Sequence, residues 1–303
     1  MEKRIIPVVR QIDIRNNKIK RIQPPIPRIR PQEALNLNPK KQTIVRQPVK
    51  IVQNNNPRSV NYIGKTNQKA IDNFTKDANY NKLLSIKGTG KGNVLVMIAC
   101  GPSVNEVDFV PLKSAKNVKV MVINKPVESI WPTDYWAFCD QSQYERNRTA
   151  FDSYNGIIIN SVGVRARKSN QILVRAKQGK GFNADITSGY FIGRSSVYAN
   201  MQTALFMNFD KIYIFGIDMC AVNGKTHHYG NGFNPDVETN IRIQRFQYEA
   251  EHYSNAANLM SADDRKKFYF CSSYNTWPFV DKFNKLDHKV AVQEIIKVAN
   301  QSI

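Results

Sequence analysis

From about residue 93 onward, short apolar runs recur along the chain, separated by polar and turn-rich stretches. Val94 to Ala99, Val118 to Ile123, Trp136 to Phe138, Ile157 to Ile159 and Lys211 to Phe215 are of strand length and close to apolar throughout. Continuous rather than alternating hydrophobicity is the pattern of strands buried on both faces of a parallel sheet. Between the last two runs, Ser195 to Met207 places Val197, Met201, Ala204 and Leu205 on one face of a helix. A second helix is predicted over Asn240 to Met260, with Ile243, Phe246, Ala250, Tyr253 and Ala257 on one stripe. A strand at Phe268 to Cys271 and a helix at Val290 to Ala299 follow. Alternation of this kind predicts an α/β fold, a Rossmann-like and mostly parallel sheet flanked by helices. No internal repeat is present.

The region before the first strand differs. Asn67 to Ile86, with Ala70, Ile71, Phe74, Leu83 and Leu84, predicts a helix packed beside the main domain. Gly88-Thr89-Gly90-Lys91-Gly92 lacks the Gly-Lys-Ser/Thr ending of a phosphate loop and precedes a strand, so it reads as a turn. Residues 1–62 hold more than half of the prolines, among them Pro24, Pro25, Pro27 and Pro31, and basic residues far outnumber Glu2, Asp13 and Glu33. Prolines withdraw backbone donors and favour extended backbone, while Ile5, Ile6, Ile22 and Ile29 could dock into a partner's grooves. The expected organisation is a basic Pro-rich arm over 1–62 and one nucleotide or nucleotide-sugar binding domain over 63–303. A solvated tail and an arm that orders on nucleic acid or a protein lattice both fit the composition.

Charge and cysteines sharpen this picture a little. A formal net charge of +20 attracts phosphate-rich partners or anionic surfaces, although Lys also accumulates in chains rich in Asn and Ile. Cys100, Cys139, Cys220 and Cys271 form no C-x-x-C pair and no Cys/His cluster of zinc spacing, so reduced, packed thiols are expected. No run approaches a membrane span and no apolar leader core opens the chain. Those features fit a cytoplasmic protein, in host cytoplasm or virion if phage-encoded.

In an open parallel sheet, ligands bind beyond the carboxyl ends of the strands. There the chain offers Gly101-Pro102-Ser103, leading toward Asn105 and Glu106, then Asn124, Asp140, and Thr187-Ser188-Gly189 before a helix. Gly216-Ile217-Asp218 and a polar loop with Lys225, His227, His228 and Tyr229 follow the strand at Lys211 to Phe215. Each piece also has a plain reading as a turn or cap. The adjacent histidines are not a core pattern, and an exposed imidazole supplies the pKa and reach a general base needs. They make a poor metal pair with no cysteine near, although Asp218 could hold Mg²⁺ on phosphates.

Taken in order, Gly101-Pro102-Ser103, Asn124, Thr187-Ser188-Gly189, Gly216-Ile217-Asp218 and His228-Tyr229 resemble the bacterial sialyltransferases of glycosyltransferase family 42. They also resemble the 6-hydroxymethylpterin diphosphokinase-like family, which includes flagellin-modifying and phage proteins. The resemblance spans about residues 93–270. It implies Gly101, Ser103, Asn124, Ser188 and Gly189 around a nucleotide and His228 as the base of an inverting glycosyl transfer that requires no cofactor. Cys100 stands where the family has Asn, and Met219 and Cys220 stand where it has a phosphate-binding Tyr. Lys225, Tyr229 or Arg245 could neutralise a diphosphate instead. Two other functions stay open: a pyrophosphokinase-like transferase using Mg²⁺ at Asp218, and a virion or DNA-associated protein on a retained fold.

Overall fold

The computed structural model describes residues 78–165, 167–230 and 235–301. The basic arm and the first part of the helix expected from Asn67 lie outside them; of that helix, Ala78–Ser85 (α1) is described. The predicted runs become β1 (Val94–Ile98), β2 (Val118–Ile123), β3 (Tyr135–Phe138), β4 (Ile157–Ser161) and β8 (Lys211–Phe215). They are joined by β5 (Gln171–Val174), β9 (Phe268–Cys271) and β10 (Asn284–Leu286) in one eight-stranded sheet, while β6 (Ala176–Lys177) and β7 (Tyr190–Phe191) pair separately. The order is β10-β9-β8-β1-β2-β3-β4-β5, and every neighbouring pair is parallel. The fold is thus a Rossmann-like α/β sheet flanked by helices.

Both faces of the strands are covered, which is why their sequences are apolar without alternation. Leu95, Met97, Met121, Ile159, Ile212 and Ile214 form one core with α1, α4 (Ser196–Phe206) and α5 (Pro235–Leu259). Val96, Ile98, Val122, Trp136, Phe138 and Phe215 form the other. That second layer comprises 3-10 turns at Pro102–Glu106 and Val110–Ser114, short helices α2 (Gln141–Arg146) and α3 (Arg148–Ser153), and the C-terminal α7 (His288–Gln301). A short α6 (Ala262–Lys266) leads into β9.

Two details of the helices correct the amphipathic reading. Every residue of α4 is buried, not one face only, because the sheet covers one side and Tyr253 of α5 meets Tyr198 edge-on at 5.6 Å on another. Its polar Gln202 serves the backbone: Oε1 accepts from the Asn183 and Phe191 amides at 3.0 Å each, and Nε2 donates to the Phe191 carbonyl at 2.7 Å. On α5, Phe246, Ala250, Tyr253 and Ala257 are buried as expected, but Ile243 is 47% exposed because the helix extends past the core.

The chain reverses its direction of growth across the sheet at β1. From β1 it steps through β2, β3, β4 and β5 to one edge, then returns to β8 on the other side of β1 and continues to β9 and β10. That reversal opens a crevice at the carboxyl ends of β1 and β8. Trp136 supports the neighbouring edge, packing on Trp131, Phe138, Phe151 and Tyr154 while its indole N–H donates to the Asn124 carbonyl at 3.0 Å. Trp136→Ala is expected to cost about 3–5 kcal/mol, measurable as a lower denaturant midpoint; a loss within experimental scatter would mean that this cluster does not support the fold.

Candidate functional site

At the crevice, β1 and β8 stay zipped beyond their last strand residues. The Ala99 amide donates to the Phe215 carbonyl and the Gly101 amide to the Gly216 carbonyl, both at 2.9 Å. A Cβ on Gly101 would sit 2.5 Å from Asp218 Oδ2 and from the Gly216 carbonyl, so only glycine allows this approach. Gly216 turns with φ +71°, letting the chain leave β8 beside that turn.

Asp218 ties three loops together. Its Oδ2 accepts the Ser103 amide at 2.8 Å, and its Oδ1 accepts the Ser103 hydroxyl at 2.7 Å and the Ser272 hydroxyl at 2.6 Å. The residue is 1% exposed. Both oxygens of the expected Mg²⁺ ligand are therefore occupied by protein donors, as is the hydroxyl of Ser103, and Pro102 is buried behind them. Among the described residues, no group of three or more His, Cys, Asp and Glu side chains converges where it could hold a metal.

The histidine loop folds onto this clamp. Asn223-Gly224, with φ +51° and +72°, turns the hairpin between Val222 and Lys225, the backbone that an Asn-Gly pair favours. The loop then returns to β1: the His228 amide donates to the Cys100 carbonyl at 2.8 Å and the Asn105 side chain donates to the His228 carbonyl at 2.8 Å. Tyr229 stacks on His227 at 4.9 Å and meets His228 edge-on at 5.0 Å. Contrary to the exposed imidazoles expected, both rings are partly buried, because Tyr229, itself 45% exposed, lies over them. His228 Nε2 is fully covered and has no hydrogen-bond partner.

Cations crowd this loop. Burial pushes His227 down to about 4, helped by the charges of Arg242, His228, Arg245 and Arg146; burial, then Lys125, does the same to His228. Arg242 also acts on the Cys100 thiol and, with Arg146, on the Tyr229 hydroxyl. Lys125 and Arg146 line an adjoining groove of about 610 Å³ together with Trp131, Asn147 and Thr149. Arg245 is tethered by Glu249 at 2.8 Å and by the Arg194 carbonyl. Neither Lys125 nor Arg146 makes an ion pair among the described residues.

The remaining expected residues divide by position. Asn124 adopts a left-handed backbone (φ +63°) at the end of β2, and its Oδ1 is buried without a partner. Asp140 is exposed at the start of α2. Lys225 is exposed in the hairpin. Thr187-Ser188-Gly189 makes bonds of its own: the Thr187 hydroxyl donates to Asp185 at 2.7 Å, and Ser188 Oγ accepts from Lys177 Nζ at 2.8 Å. None of that segment's hydrogen bonds reaches Gly101, Asp218 or His228, whereas the Gly101 turn and the His228 loop are bonded to each other through Cys100 and Asn105. Lys125, Arg146 and Arg242 were missed in the sequence. Arg242 precedes Arg245 by three on a helix, a spacing that shares a face, and Lys125 directly follows Asn124.

Burial also raises the cysteines, Cys139 to about 12 and Cys220 to about 11, as expected of packed thiols. No helix among the described residues is long and apolar enough to cross a membrane. Compared with family models, curated proteins and solved structures, the chain matches none.

Two outcomes follow from this geometry. Asp218→Ala would leave two buried donors of Ser103 and the part-buried Ser272 hydroxyl without this acceptor, at about 1–3 kcal/mol for each buried group so stranded. A sharp fall in Tm is expected, and an unchanged Tm would show that the clamp bears no load. The paired imidazoles set a pH dependence: their folded pKa lies below the ordinary 6.5, so the unfolded chain binds more protons between about 4 and 6.5. Their contribution is complete above pH 6.5 and is lost as pH falls toward 4. Denaturant titrations across that window should show a steep slope that His227→Asn/His228→Asn flattens; equal slopes would contradict the burial of both rings.

Proposed function

We propose that the crevice binds a nucleotide or nucleotide-sugar through its phosphates and that His228 is the general base of an inverting glycosyl transfer. The observation that carries this reading is the placing of Lys125 and Arg146 on the 610 Å³ groove beside the His228 loop, at the switch point of a parallel sheet. Cations placed there suit a diphosphate, and the half-buried Trp131 that lines the groove suits a flat base or sugar. A groove of that volume lies in the range of small-ligand sites.

Depressed well below neutrality, His228 holds an unprotonated ring whose covered Nε2 has no partner. A hydroxyl acceptor donating to Nε2 would satisfy that atom, and reaching it requires Tyr229 to move off the ring. His228 would then take the hydroxyl proton as the oxygen attacks the anomeric carbon and the nucleotide phosphate leaves toward the arginines. The competing phosphoryl-transfer reading needs a carboxylate free for Mg²⁺. Asp218 fits that role poorly, since both its oxygens already accept protein donors.

Calorimetric titration with cytidine, uridine, guanosine and adenosine mono- and diphosphates tests the reading. One base should be preferred, and Lys125→Gln and Arg146→Gln should each weaken the diphosphate by about tenfold, as expected on losing one charge-assisted hydrogen bond. No binding of any nucleotide, or affinity indifferent to both substitutions, would defeat it. With the preferred donor sugar, His228→Ala should lower transfer by about 10²-fold or more.

A further inference from the structure

A second cluster lies on the other side of Asp218, outside the crevice loop. Ser273 follows the clamp residue Ser272 at the end of β9, Glu106 ends the 3-10 turn after β1, and His288 opens α7. Residues far apart in sequence thus meet beyond the carboxyl ends of β1 and β9. His288 Nε2 lies 3.3 Å from Glu106 Oε2, so the carboxylate fixes the ring proton on Nε2. The Nδ1 lone pair then faces the Ser273 hydroxyl at 3.1 Å and the Ser273 amide at 3.3 Å. Ser273 is exposed, whereas His288 is 1% exposed beneath Tyr274, whose ring lies 5.4 Å away.

Glu106 is itself well oriented. The Tyr274 hydroxyl donates to its Oε1 at 2.6 Å, and Lys289 Nζ lies 3.3 Å from its Oε2. Ser273 Oγ donates its single proton to Asp287 Oδ2 at 2.7 Å while the Ser273 amide donates to Nδ1, so the hydroxyl must rotate from Asp287 onto Nδ1, 3.1 Å away, before it can react. Capping α7 requires only the Asp287 carboxylate; it does not require a buried imidazole held between a hydroxyl and a second carboxylate. Hydroxyl, imidazole and orienting carboxylate, each in reach of the next, are the parts of an activated serine nucleophile.

We propose that Ser273, His288 and Glu106 form a second reactive centre in which Ser273 Oγ attacks small activated carboxylic esters. Oγ bonds to the carbonyl carbon as its proton passes to His288 Nδ1. The C–O bond to the leaving alcohol breaks, and Nδ1 returns the proton to that oxygen. Water then attacks the acyl-serine by the same route and releases the carboxylic acid and free Ser273. Glu106 is a positioning residue, holding the tautomer that presents the Nδ1 lone pair. The proposal does not rest on the nucleotide reading.

Incubating the full chain with a fluorophosphonate probe tests it directly: Oγ bonds to phosphorus, fluoride leaves, and the peptide carrying Ser273 gains the probe's mass. Labelling at Ser273 is expected, and its rate should fall by about 10²-fold in His288→Gln, as on loss of a general base. Because that buried substitution could unfold the chain, Glu106→Gln serves as the second variant; it should slow labelling while leaving the circular dichroism spectrum unchanged. Asp287→Asn should keep the labelling. Absence of label on Ser273, label undiminished in folded Glu106→Gln, or label lost in Asp287→Asn alone would each overturn the assignment.

Discussion

Three loops at the top of the sheet depend on one carboxylate. Asp218 accepts from Ser103 in the turn after β1 and from Ser272 after β9, while Gly101 leaves the space for it to do so. A buried charge is costly unless its hydrogen-bonding capacity is met, and here three donors meet it. The result is a rigid floor at the one place where the direction of strand addition reverses. Everything proposed for chemistry stands on that floor: the histidine loop on one side through Cys100, and the Ser273 cluster on the other through Ser272.

The loop above the floor shows how burial and charge combine. Tyr229 covers His227 and His228, removing water from both, and the surrounding arginines and lysine then oppose their protonation. Like charges repel, so the cations near these imidazoles hold them unprotonated. An anionic ligand would offset that charge and raise the imidazole pKa toward the ordinary value.

Much of the architecture was legible in the sequence because buried parallel strands carry continuous apolar runs. Val94–Ile98, Val118–Ile123 and Lys211–Phe215 stand out on that ground alone. The edge strands were not legible: Asn284–Leu286 pairs on one side only and carries polar residues, and Gln171–Val174 is a four-residue run between polar flanks. Asn160 on β4, wholly buried with both amide atoms unpartnered, has no signature in the pattern, and its role has no explanation in its surroundings. At the site, glycine spacing announced Gly101 and the adjacent histidines announced their loop. What spacing could not show was that Asp218 points inward, since an aspartate after a strand looks the same whether it faces a ligand or two serines. Nor could it show that Arg146 of α2 and Lys125 after β2 line one groove, which tertiary packing alone creates.

Hydrogen exchange followed by mass spectrometry, with and without a saturating nucleoside diphosphate, bears most directly on the crevice. Slower exchange is expected in three segments together: 99–106, 123–126 and 216–230. Unchanged exchange in all three, or protection confined to the amino ends of the strands around residues 113–119, would contradict the placement of the ligand at the switch point.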